Sequence, residues 1–227
     1  MRTVIFDLDG TLADTSGDLL AAANWCFADM GMSVRLKPET DAGVALRGGR
    51  AMLSLGIERE TGVKADPKVL DAQYQPLIKA YEQAIDVHTV LYPGAIEAVK
   101  QLSKDGFAVG ICTNKPAFLA ELLMTKLGVR EAFGSLIGAD TLPVRKPDPE
   151  PFFEAVRRAG GDTKRSCLIG DTLTDHATAR AAGVPSVLVT FGPGAAAGQA
   201  DIRALEPDAL LDHFHELPGL VANLLPN

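Results

Sequence analysis

Asp7 and Asp9 stand two residues apart directly after the apolar run Thr3-Val4-Ile5-Phe6. In extended backbone, side chains two apart point to the same side, so the two carboxylates form one acidic patch. The ordinary alternative is a turn, because Gly10 follows and Asp-Gly ends many strands. Calcium binding of the helix-loop-helix kind is excluded by spacing: its glycine comes at the sixth position, and Gly10 is fourth counting from Asp7. Further polar clusters shift the balance towards chemistry. Phe107 to Cys112 runs into Thr113-Asn114-Lys115, a hydroxyl and an amide of the kind that donate to phosphoryl oxygens. Lys146 lies in the proline-rich stretch Arg145-Lys146-Pro147-Asp148-Pro149. Cys167-Leu168-Ile169 ends in Gly170-Asp171, with Asp175 four residues on and so beside Asp171 if a helix starts there.

Groups this far apart in sequence need a scaffold that gathers strand ends. Thr3 to Phe6 is apolar and rich in β-branched residues, as in a strand buried on both faces of a parallel sheet. Acids at its C-terminal end would lie in the crevice where open α/β sheets bind ligands. Phe107 to Cys112, Ser135 to Ala139, Cys167 to Ile169 and Ser186 to Thr190 read as further strands, each separated from the next by a stretch of helix length. That alternation predicts parallel crossovers and an α/β fold with a doubly wound sheet. Tyr92-Pro93-Gly94 opens a helix with Ile96, Val99 and Leu102 on one face, stopping at Gly106.

No strand pattern occurs between Thr15 and Asp86. Ser16 or Asp18 is placed to cap a helix carrying Leu19, Leu20, Ala23 and Phe27. Helical stretches follow over Glu39 to Leu46, Arg50 to Thr61 and Pro67 to Ile85. The expected organisation is therefore an α/β core of residues 1–14 and 87–227, with a helical domain inserted over 15–86. Trp25, Phe27 and Met30 read as helix core. His213 and His215, two apart in a terminal helix, do not share a face and read as solvated surface. Gly192 to Gly198 reads as a small-residue loop.

The 227 residues are 47% hydrophobic and 22% charged, a globular composition that indicates neither disorder nor a membrane protein. No run approaches the length of a membrane span, and the N-terminus lacks the apolar stretch of a secretory signal, so a cytoplasmic location is expected. A net charge of −7 argues against a nucleic-acid partner, since phosphate backbones need clustered Lys and Arg. A small anionic substrate stays open, provided local cations outweigh the global field. Cys26, Cys112 and Cys167 are odd in number and far apart, which suits buried thiols rather than disulfides or a zinc site.

Taken together, Asp7-Leu8-Asp9-Gly10-Thr11, Thr113-Asn114, Lys146 and Gly170-Asp171 with Asp175 resemble the four ordered motifs of the haloacid dehalogenase superfamily. Within it the chain is most similar to the phosphoglycolate phosphatases, which carry a helical cap between the first motif and the second. The resemblance implies a Rossmann-like core and a magnesium-dependent phosphomonoester hydrolase that works through an aspartyl-phosphate. It implies Asp7 as nucleophile, and Asp9 as the acid that protonates the leaving oxygen and then deprotonates water. Asp7, Asp171 and the Asp9 carbonyl would hold Mg²⁺, while Thr113, Asn114 and Lys146 would bind the phosphoryl oxygens. Asp175 has two readings: it orients the metal site or Lys146, which is preferred, or it is a helix N-terminal acid favoured by the dipole. His176 stands where relatives commonly have an aliphatic residue and is given no role.

Substrate selection would fall to the inserted helices, and the loop Leu46-Arg47-Gly48-Gly49-Arg50 offers two arginines suited to a carboxylate such as that of phosphoglycolate. Arg47 is the preferred reader and Arg50 the second. The partner expected is a small phosphorylated metabolite, with neither nucleic acid nor membrane, and the chain a monomer or homodimer. By the same resemblance, an acid at Asp9 marks phosphatases rather than dehalogenases, and phosphonate cleavage would need a cap lysine, whereas no lysine of the insertion stands out as buried in an apolar setting. A sugar-phosphate phosphatase or mutase remains an alternative, as does a non-catalytic binding protein on the same fold.

Overall fold

The computed structural model describes residues 1–192 and 202–226. Most of the small-residue stretch Gly192 to Gly198 lies outside them. The chain divides into two compact units, one comprising Met1–Ala13 with Leu91–Asn227 and the other Asp14–Val90.

The first unit is built on a sheet in the order β5-β4-β1-β6-β7-β8, with every neighbouring pair parallel. Its strands are β1 (Thr3–Phe6), β4 (Ala108–Cys112), β5 (Ser135–Ile137), β6 (Ser166–Gly170), β7 (Ser186–Val189) and β8 (Ala209–Leu211). Residues of β1, β4, β6 and β7 are buried throughout, as expected of strands covered by helices on both faces. The helices are α5 (Ala95–Lys104), α6 (Ala117–Lys126), α7 (Glu150–Arg158), α8 (Leu173–Ala182) and α9 (Leu217–Leu224). On α5 the face Ile96, Val99 and Leu102 is buried, matching its period. Phe152 and Val156 of α7 join Ile5, Cys112, Ile137 and Leu168 in one core beneath the strand ends.

The second unit is helical: α1 (Ser16–Asp29), α2 (Pro38–Ala45), α3 (Gly49–Thr61) and α4 (Pro67–Gln83). Leu20, Ala23, Cys26 and Phe27 of α1 are buried, with Leu53 and Ile57 of α3 and Leu77 and Tyr81 of α4. Asp41 of α2 is buried and grips Arg59 of α3 through two bonds, 2.9 and 2.7 Å, while also accepting the Lys37 N–H at 2.8 Å. The Arg59 hydrogen bonds hold its carboxyl below the ordinary value against the cost of burial. Short strands β2 (Ala13–Asp14) and β3 (Val90–Leu91) pair where the chain passes between the units.

Several expectations need correction. Neither Ser16 nor Asp18 caps α1. Asp18 is buried and accepts from the His88 and Thr89 N–H groups, each at 2.9 Å, and from Thr89 Oγ1 at 2.8 Å, which fastens the end of the insertion to its start. Trp25 is 53% exposed, because two residues from Phe27 it falls on the opposite face of α1 from the one that enters the core. His213 and His215 are exposed as expected, but they do share a face: their rings stack at 5.4 Å, since the chain there is a tight 3₁₀ turn, Phe214–Glu216, rather than α-helix. The run Ser135 to Ala139 stops being strand at Ile137, and β8 was given by no sequence pattern. All three cysteines are free and buried, and burial pushes their thiols up, to about 11 for Cys26 and about 12 for Cys112 and Cys167. Among the described residues, no helix is long and apolar enough to cross a membrane.

Candidate active site

In the sheet order β1 sits between β4 and β6, so the connections leave to opposite sides and β1 is the switch point where such sheets form a crevice. Asp7, Thr113 and Asp171 each follow directly on one of these strands. Their placement is inherited from the ladder. The Asp7 N–H donates to the Ile169 carbonyl at 2.8 Å and the Thr113 N–H to the Ile137 carbonyl at 2.9 Å, extending the parallel pairing past the last strand residue. Beyond Asp7 the chain turns at Gly10, whose φ of 86° is open only to glycine at low cost.

Lys146 is the centre of the site. Its side chain is 3% exposed, and its Nζ donates to Asp7 Oδ1 at 2.7 Å and to Asp175 Oδ1 at 2.6 Å. Asp175 is at the same time the N-terminal acid of α8. Its Oδ2 accepts from the Thr172 N–H at 3.1 Å and from Thr172 Oγ1 at 2.6 Å, completing a capping box. Asp175 reaches this place only because residue 170 is glycine: a Cβ there would lie 2.3 Å from the Asp175 Cβ and 2.4 Å from its Cγ. Asp175 thus contacts both Lys146 and the start of α8.

The remaining motif residues are gathered in the same unit. Asn114 Nδ2 donates to the Lys146 carbonyl at 3.1 Å and so joins the loop after β4 to the loop that carries the lysine. Thr113 is buried, and its Oγ1 accepts the Lys115 N–H at 3.1 Å. Lys115 itself donates from Nζ to Asp9 Oδ1 at 2.6 Å. Sequence reasoning gave Lys115 no role, since nothing in a linear pattern links it to an acid 106 residues away. His176 Nδ1 lies 2.9 Å from Ser186 Oγ, a polar contact to the start of β7 that accounts for a histidine where packing alone would suit an aliphatic side chain.

Burial and crowding among like charges dominate the electrostatics. Burial pushes the Asp7 carboxyl up to about 7 although the Lys146 charge and hydrogen bond pull it down. Burial, with Asp175 and Asp7 nearby, raises Asp171 well above the ordinary carboxylate value. Burial alone would lower Lys146, but Asp175 and Asp7 more than reverse this and keep it an ammonium. Asp7, Asp171 and Asp175 bring carboxylate oxygens within 4.8 Å of one another. Asp171 Oδ1 accepts from Thr11 Oγ1 at 3.1 Å, whereas its buried Oδ2 has no hydrogen-bond partner among the described residues. An orphaned carboxylate oxygen inside an acidic group fits a hard cation with oxygen ligands.

Arg47 and Arg50 belong to the helical unit. Arg47 is exposed in the turn after α2. Arg50 is exposed too, but its guanidinium pairs with Asp71 and sits 5.9 Å from the Tyr74 ring centroid. Of the two, Arg47 is the one whose side chain has no hydrogen bond or ion pair among the described residues.

A family model described as haloacid dehalogenase-like hydrolase matches residues 4–189. The chain is 37% identical to the phosphoglycolate phosphatase of Mesorhizobium japonicum over 230 residues, covering 98% of this chain and 95% of that protein. It is likewise 37% identical to the phosphoglycolate phosphatase of Agrobacterium fabrum, over 97% of this chain and 93% of the other. Among solved structures, one described as a predicted phosphoglycolate phosphatase from Haemophilus somnus superposes with a TM-score of 0.82, covering 97% of each chain at 22% identity, a likeness of fold.

Proposed function

Because the chain belongs to the haloacid dehalogenase-like hydrolase family, we propose that it is a magnesium-dependent phosphomonoesterase whose substrate is phosphoglycolate. The observation that carries the reading is the pairing of Asp7 with Lys146 at the switch point, beside the partnerless oxygen of Asp171. Asp7 is the nucleophile. Its Oδ1 is tied to Lys146, which fixes the rotamer and leaves Oδ2 to attack phosphorus, giving an aspartyl-phosphate. Asp9 gives a proton to the leaving oxygen and later takes one from the water that hydrolyses the intermediate.

Lys146 changes partners in this scheme. When the phosphoryl group arrives, its oxygens compete with Asp7 for the ammonium, while Asp175 keeps the lysine in place. Thr113 supplies a hydroxyl, and Asn114 holds the backbone of Lys146. Asp7 and Asp171, with the Asp9 carbonyl, would hold Mg²⁺, which when bound offsets the negative charge shared by phosphate and carboxylates. The choice of phosphoglycolate is supported by the names of relatives that match along nearly their whole length. In this reading the helical unit acts as a cap, and Arg47 reads the glycolate carboxylate.

The test is turnover of a panel of phosphomonoesters, with magnesium and with a chelator. Phosphoglycolate should give the highest kcat/KM, and chelation should remove activity on every substrate. Activity that survives chelation would sink the metal assignment. A better substrate without a carboxylate would sink the choice of phosphoglycolate.

A further inference from the structure

We propose that Lys115 is a positioning residue that holds Asp9 in line for the leaving-group oxygen. The proposal rests on the reading of Asp9 as the acid. Its basis is the 2.6 Å contact from Lys115 Nζ to Asp9 Oδ1, made by a lysine side chain only 4% exposed to an aspartate 17% exposed. A lysine on the surface would hold its partner loosely and be screened by solvent. This one is enclosed, and its backbone is fixed at both ends. The Lys115 N–H donates to Thr113 Oγ1 at 3.1 Å, and its carbonyl accepts the Ala139 N–H at 3.0 Å.

The two acids of the first motif thus have separate ammonium partners from separate loops: Lys146 for Asp7 and Lys115 for Asp9. Were charge balance the sole requirement, one shared cation between acids two residues apart would suffice. Instead each acid is held by its own lysine. Asp9 needs this more than Asp7 does. Asp7 is buried at a strand end with its N–H in the ladder, whereas Asp9 lies past the strand, bridged to Ala13 at the base of the Gly10 turn, and its side chain is the more exposed of the two. A proton donor must meet the bridging oxygen within hydrogen-bond reach, and displacement by about 1 Å costs on the order of 100-fold in rate.

The experiment compares Lys115→Met, Lys115→Arg, Asp9→Asn and the double variant Asp9→Asn/Lys115→Met with wild type, with magnesium present. Phosphoglycolate has a poor alkoxide leaving group, and p-nitrophenyl phosphate has one that needs no proton. Lys115→Met should lower kcat on phosphoglycolate by roughly 10- to 100-fold with KM changed less than about 3-fold, and lower kcat on the aryl ester by less than about 3-fold. Lys115→Arg should recover part of the loss. In the Asp9→Asn background, Lys115→Met should cost nothing more, because groups acting as a unit are not additive.

Equal losses on both substrates, a rise in KM alone, or full additivity with Asp9→Asn would each overturn the proposal. If Lys115→Met does not fold, Lys115→Arg decides by the same substrate comparison, since a misplaced guanidinium should still slow the alkyl ester selectively. Wild-type activity and the Asp9→Asn substrate split test the underlying reading on their own. If those behave as expected and the lysine variants do not, Lys115 alone loses its role.

Discussion

Asp7→Asn should abolish turnover and yet make the metal-free protein more stable at alkaline pH. Burial raises the folded-state value of Asp7 to about 7, against about 3.9 for an aspartate in an unfolded chain. A carboxyl raised in the fold favours the native state below the unfolded value, and that advantage drains away as pH rises towards the folded value. The window is therefore pH 4 to 7. Linkage of a shift of about three units comes to about 4 kcal/mol at full ionisation, and relaxation of the site brings the expected gain to about 2–4 kcal/mol. Asparagine approximates the neutral acid, so it escapes this cost: the variant should exceed wild type by that margin at pH 8 and by under about 1 kcal/mol at pH 4. Urea melts of both proteins in chelator, across pH 4 to 8, give the difference directly. A difference that stays flat across the range, or a variant less stable than wild type at pH 8, would refute the reasoning from burial.

Two further expectations follow from single residues. Arg47→Ala should cost about 1.5–3 kcal/mol in kcat/KM for phosphoglycolate, the scale of a charge-assisted hydrogen bond, and little for a neutral phosphomonoester; equal effects on both would remove Arg47 as the carboxylate reader. Gly170→Ala should drive Asp175 off Lys146 through a Cβ contact of 2.3 Å. It should lower kcat by at least about 10-fold and melt early, overpacking typically costing about 1–3 kcal/mol; wild-type kinetics in that variant would show that the acid tolerates displacement.

The sheet was legible because its strands carry two signals at once, burial on both faces and a polar group at the same end. Val4, Ile5 and Phe6 leading into Asp7, and Leu168 and Ile169 leading into Asp171, are of this kind. Ala209–Leu211 carries no such signal: it is short, half-covered and at the sheet edge, so its pattern does not differ from a loop. Contacts set by side-chain reach were the least visible. Trp25 and Phe27 are near neighbours on one helix and differ only in which way the helix faces. Asp18 has the type and place of a helix cap, and only the return of the chain at His88 and Thr89 gives it other work. Lys115 was hidden in the same way, because its partner Asp9 lies 106 residues away along the chain.

Asp175 spends one carboxylate oxygen on Lys146 and the other on the first turn of α8, and this makes the interval from Gly170 to Asp175 a length gauge. Each residue of helix advances the side-chain direction by about 100°. Inserting or deleting one residue there would swing the acid off the lysine while α8 could still form with a different cap. The exposed turns elsewhere in the unit, such as the one at Asp105 and Gly106, are under no comparable constraint. Tolerance to changes in length should therefore be sharply uneven along this chain: free between helices and strands on the outer surface, and nil across the few residues that both begin a helix and hold a charge in place.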